Sequence, residues 1–140
     1  MKTFWIVVLL LFPLYASSQE IEKVECEEIV NAIKNAQVSE LSPYLANTVE
    51  CDMFGKSNVY SKAQTIQVMK DFFTQNKPKQ FNVNHQGAQG QIKFIIGTYK
   101  TITGKKFRIS CFVKQEIGKN DMIQQIRIEN STDSPNPEVN

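Results

Sequence analysis

Between Pro78 and Glu129 the chain repeats with a period of two. Phe81, Val83 and His85 alternate with Asn82, Asn84 and Gln86, and Ile92, Phe94 and Ile96 continue the pattern. Phe107, Ile109, Cys111 and Val113 alternate with Arg108, Ser110, Phe112 and Lys114, and Met122, Gln124, Ile126 and Ile128 close the series. In a strand, residues two apart share a face, so each run predicts a strand with one apolar side. Gly97 marks an expected bulge. The segments between runs, 87–90, 103–105 and 117–121, are short and rich in Gly, Asn and Lys. Short turns permit only antiparallel neighbours, because a parallel return needs a long crossover. The prediction is a four-stranded antiparallel meander with an apolar face that something else must cover.

The cover has to come from upstream. Ile21, Cys26, Ile29, Val30 and Ile33 recur at three- and four-residue steps and predict a helix over 21–36, with glutamates early and Lys34 late, as the helix dipole favours. A short helix is expected at 40–46, capped by Ser39, with Pro43 in its first turn. Val49, Cys51 and Met53 alternate with polar residues, and a turn at Gly55 leads into Ser57-Asn58-Val59-Tyr60, which predicts a short hairpin. Ser61 and Gln64 form a capping-box pattern ahead of a helix at 62–76 carrying Ile66, Met69, Phe72 and Phe73, and Lys77-Pro78 ends it. The fold class is therefore α+β: three helices and a hairpin, then a bent four-stranded meander wrapped around the helices as a cone with an opening.

The N-terminus reads as an address. Lys2, the apolar run Phe4 to Phe12 and the small residues Ala16-Ser17-Ser18 have the order of a secretory signal peptide, with cleavage expected after Ser18. The run is shorter than the ~20 residues of a membrane span. Domain boundaries follow: a signal peptide at 1–18, one domain at 19–130 and a flexible tail at 131–140. The expected location is secreted or periplasmic, with no membrane span after cleavage.

Composition narrows the function. With 16 basic and 14 acidic residues the formal charge is only +2, too balanced for a strong nucleic-acid binder. One histidine and three cysteines are too few for a Cys/His zinc site, and no metal or cofactor is expected. Cys26, Cys51 and Cys111 all fall on predicted covered faces. Three buried thiols are favoured over one bridge, and an odd count leaves at least one thiol in either case.

Within the expected cone, alternation places His85, Thr98 and Gln124 on the covered face with Phe81 and Phe94. These five are the candidate ligand pocket, with His85, Thr98 and Gln124 orienting a small amphipathic molecule. His85 is also the one candidate acid/base group, although a structural role fits it better, because no carboxylate is placed to orient it. The opposite sheet face is expected to carry Arg108, Arg127, Phe112, Tyr99 and Ile95, a mixture typical of interface cores. Lys77, Lys79, Lys105 and Lys106 would form a basic rim if their two turns meet.

The order of elements resembles the nuclear-transport-factor-2-like superfamily, the cone-shaped fold of ketosteroid isomerases and scytalone dehydratases. More closely, Ile29 to Glu129 resembles a family of small exported bacterial proteins known only as a domain of unknown function. The resemblance is carried by Val59-Tyr60-Ser61-Lys62-Ala63-Gln64, Lys70-Asp71-Phe72-Phe73, Ile96-Gly97-Thr98 and Ile123-Gln124-Gln125-Ile126-Arg127-Ile128-Glu129. It implies the cone fold and an exported setting, and a homodimer through the outer sheet face. It implies no catalytic residues: the isomerases use a pocket aspartate with a tyrosine and a second acid, and the strands from 79 to 116 carry no aspartate and only Glu116 as an acid. The function expected is a non-catalytic module that binds a small amphipathic molecule or an envelope protein. The alternatives are an enzyme using His85 and an interaction module using the outer face.

Overall fold

The computed structural model describes residues 21–115 and 121–131. The expected signal peptide, the turn at 117–120 and all of the tail beyond Ser131 lie outside them.

The described chain runs α1 (Ile21–Lys34), α2 (Val38–Leu41), a single 3₁₀ turn (Ser42–Tyr44), β1 (Leu45–Met53), β2 (Lys56–Ser61), α3 (Lys62–Gln75), β3 (Pro78–Gln89), β4 (Ile92–Thr101), β5 (Lys106–Lys114) and β6 (Met122–Asn130). Two of the three expected helices have the predicted extent. The second is one turn long, because Pro43 cannot donate the backbone bond that would extend it and the chain turns extended at Leu45.

Local chemistry explains the boundaries. Helix α1 buries Cys26, Ile29, Ala32 and Ile33 on one face. It ends in a Schellman motif, with Gln37 N–H donating to Ala32 O at 2.9 Å and Ala36 N–H to Ile33 O at 3.0 Å. The left-handed position there is held by Ala36 (φ 52°), not by glycine. At the start of α3 the capping box is formed: Gln64 N–H donates to Ser61 Oγ at 3.2 Å and Ser61 N–H to Gln64 Oε1 at 2.9 Å. The β1–β2 hairpin turns on Phe54 (φ 54°) and Gly55 (φ 85°), the pair of positive φ values of a type I′ turn.

The six strands form one curved mixed sheet in the order β2-β1-β6-β5-β4-β3. The hairpin is thus not a separate unit beside a four-stranded sheet. Strand β1 pairs in parallel with β6, with Cys51 opposite Ile126 and Met53 opposite Ile128, and carries β2 in as the edge strand. Helix α3 lies between β2 and β3 in the chain, so only α1 and α2 precede the sheet. The core is the layer between helices and sheet: Cys26, Ile29 and Ile33 of α1 and Met69, Phe72 and Phe73 of α3 against Val49, Cys51, Phe81, Ile95, Tyr99, Phe107, Ile109, Cys111, Val113, Ile123, Ile126 and Ile128. None of the helices is long and apolar enough to cross a membrane among the described residues.

Candidate functional site

Two bulges and one two-faced strand decide which side chains meet. In β4 the buried residues are Lys93, Ile95, Gly97, Tyr99 and Thr101, while Ile92, Phe94, Ile96 and Thr98 point to the other side. This reverses the phase expected for the strand. Tyr99 and Ile95 are 0% and 1% exposed, so neither belongs to an outer interface. The run Ile92 to Tyr99 is apolar on both faces, and pairing with Phe107, Ile109 and Cys111 of β5 selects the face that meets the helices.

The candidate pocket is divided in the same way. Phe81 pairs with Tyr99 and is buried in the core. In β3 the register shifts between Val83 and His85, where Asn84 is the extra residue, so His85 pairs with Ile96 and lies exposed on the outer face. Asn84 Nδ2 donates to Thr98 Oγ1 at 2.7 Å on that same side. In β6 a second bulge, between the partners of Phe112 and Val113, turns Gln124 outward as well. Gln124 lines a shallow hollow of about 220 Å³ on the outer face with Phe112, Gln125 and Glu50. His85, Thr98, Gln124 and Phe94 therefore do not share a chamber with Phe81.

Between α3 and the sheet, aromatic rings pack together. Phe72 lies 5.3 Å from Phe107 and 5.5 Å from Tyr99 between ring centroids, Phe73 lies 6.1 Å from Tyr99, and Phe81 lies 6.5 Å from it. At the far end of the covered face, Lys93 Nζ and Asp121 Oδ2 form a buried ion pair at 3.2 Å, each side chain 6% exposed.

The three cysteines are buried and unbridged. Burial pushes the Cys111 thiol up to about 12, and the neighbouring Cys26 and Cys51 thiols add to the shift. Burial also raises Cys51, partly opposed by its hydrogen bond to Thr65 Oγ1. Thiols held protonated in this way are not nucleophiles at neutral pH. No group of three or more potential metal-ligating side chains occurs among the described residues.

On the outer face Arg108, Phe112 and Arg127 lie where the alternation put them. Arg127 Nε is 3.3 Å from Asp52 Oδ2 and 3.8 Å from Glu129 Oε1. Ile92 and Val59 are 49% and 72% exposed there.

A larger hollow lies at the end of the molecule where α1, α2 and α3 meet the start of β3 and the β4–β5 turn. It is an open groove of about 800 Å³. Val38, Ile66, Phe73, Pro78 and Ile102 supply its apolar surface, and Ile102 is 63% exposed. Asn35, Ser39, Ser42 and Thr74 provide neutral polar groups, and Lys70 and Lys77 are its charged residues. The turns expected to carry a basic rim do meet: Ile102 N–H donates to Lys77 O at 3.0 Å, and Thr101 N–H to Lys105 O at 2.9 Å. Sequence reasoning missed this groove because its wall comes from the ends of five elements. The signals it left were Pro78, two residues beyond the helix's cap, and an isoleucine, Ile102, inside a turn.

Residues 26–129 match the model of a domain of unknown function, DUF4783. A solved DUF4783 protein from Bacteroides ovatus is 37% identical, covers 76% of this chain and 94% of its own, and superposes with a TM-score of 0.71. One from Bacteroides uniformis is 34% identical, covers 76% and 97%, and gives the same TM-score of 0.71. An NTF2-like protein of unknown function from Shewanella baltica shares the fold at 10% identity, with a TM-score of 0.61 over 82% of this chain and 98% of its own. No curated protein matches the chain.

Proposed function

The chain belongs to the DUF4783 family, and we propose that it is an exported, non-catalytic binding module whose ligand is a small amphipathic molecule held in the groove between the helix ends and the β4–β5 turn. The groove carries this reading. Its volume of about 800 Å³ lies within the range of small-molecule sites, and its apolar floor is ringed by a few polar side chains. Export is supported by the basic, apolar and small-residue order of residues 1–18.

The placement of His85 speaks against the enzyme alternative. The side chain is exposed on the outer sheet face, away from the groove and the core.

The test is binding of a neutral apolar dye such as Nile red to the exported protein. Wild type and His85→Ala bind it with enhanced fluorescence, whereas Thr74→Trp, which fills the groove from an exposed helix position, loses the enhancement while keeping its circular dichroism. Unchanged dye binding in Thr74→Trp would overturn the assignment.

A further inference from the structure

The charge around the groove narrows the ligand further, on the premise that the groove is the binding site. Lys70 and Lys77 line it and no acid does. Neither lysine has a carboxylate within ion-pair distance among the described residues. Lys34 precedes the lining residue Asn35, Lys79 follows the lining residue Pro78, and Lys105 closes the turn that carries Ile102, so three more lysines lie in the chain at the same end of the molecule. The acids on these elements lie outside the lining. Glu40 is exposed on α2, and Asp71 accepts a hydrogen bond from Gln67 Nε2 at 3.0 Å along α3.

The ends of α1 and α3 oppose this field, since each C-terminus carries roughly half a negative charge. Their carbonyls are, however, already engaged. Ala36 and Gln37 N–H cap α1, and Asn76 caps α3 through its N–H at 2.9 Å and its Nδ2 at 3.0 Å to Phe72 O. Two capped ends together amount to about one negative charge against two lining lysines and three adjoining ones, and the opening stays positive.

An apolar floor under a positive rim selects for a molecule with both features. We propose that the groove takes a single-chain anionic amphiphile, an alkyl carboxylate, with its chain along Val38, Ile66, Phe73 and Ile102 and its head between Lys70 and Lys77. A single chain is favoured over a bilayer because the groove's volume of about 800 Å³ is that of a small-molecule site.

The experiment is calorimetric titration of the exported protein with dodecanoate, dodecyl maltoside and dodecyltrimethylammonium, each below its micellar concentration. Dodecanoate binds about fivefold or more tightly than the neutral chain, and the cationic chain binds weakest. Affinity rises about two- to fourfold per added methylene while the chain still fits. The double variant Lys70→Glu/Lys77→Glu abolishes the preference, and raised salt weakens it. Lys114→Glu, the same kind of substitution at the opposite end of β5, leaves it intact. Equal binding of the three headgroups, or a preference indifferent to Lys70 and Lys77, overturns the anionic ligand and leaves the groove reading standing. Binding of no chain at all overturns both. Co-sedimentation with anionic phosphatidylglycerol vesicles in the absence of dodecanoate uptake overturns the monomeric ligand in favour of a membrane surface.

Discussion

The Tyr99 hydroxyl donates a hydrogen bond to the backbone carbonyl of Asn76 at 2.6 Å, from a side chain with no exposed surface. The bond fastens the end of β4 to the residue that ends α3, and so positions one wall of the groove. Burial raises the pKa of this phenol, so the donor proton is retained through the physiological range.

Tyr99→Phe keeps the ring packing against Phe72, Phe73 and Phe81 and removes only this donor. It is expected to cost about 1–2 kcal/mol in urea unfolding, because the carbonyl loses its partner in a water-poor setting. Unchanged stability would show that the bond does not hold the helix end.

Ala36 occupies a left-handed position (φ 52°) in the C-terminal cap of α1 and also lines the groove. A methyl group at such a backbone conformation is strained. Ala36→Gly is expected to stabilise the protein by about 0.5–1 kcal/mol, seen as a raised urea midpoint at unchanged m-value. A loss of stability would mean that the packing of the methyl outweighs the strain.

Gly97 lies beneath the Phe81 ring: a Cβ there would meet the ring at 2.6 Å and the Asn82 carbonyl at 2.7 Å. Gly97→Ala is expected to destabilise by about 2–3 kcal/mol, measured by thermal and urea unfolding. Adding Phe81→Leu should recover part of this loss and not all of it, since the backbone conflict with Asn82 persists.

The raised thiol of Cys111 makes stability depend on pH in the alkaline range. The folded state holds the proton more tightly than the unfolded chain, so its contribution is complete below about 9 and is lost as pH rises toward about 12. Across that window one such proton corresponds to a slope of about 1.4 kcal/mol per pH unit. Cys111→Ala is expected to flatten the fall in urea stability between pH 9 and 11. In the same samples, three thiols should react in denaturant without reductant and the native protein should react slowly. A single reactive thiol would indicate a bridge among the three.

The period-two runs, the hairpin at Phe54-Gly55, the Ser61/Gln64 box and the apolar stripes of the first and third helices were legible because each is a local pattern with a local cause. The burial of Cys26, Cys51 and Cys111 was legible for the same reason. The pocket was not, and His85 shows why. Counting by twos from Phe81 places it inside, but the extra residue Asn84 reverses its side, and no glycine or proline in Val83-Asn84-His85 announces the bulge.

Segment type and the apolar stripes of the helices were settled by sequence alone, because backbone preferences and residue spacing act over a few neighbours. Tertiary structure decided which side of Ile92 to Tyr99 is buried, where Gln124 points, and that β1 joins β6 in parallel. A strand greasy on both sides has no preferred phase until its partners supply one. Pairing between β1 and β6 brings together Cys51 and Ile126, far apart in the chain, and the groove exists only where five distant ends converge.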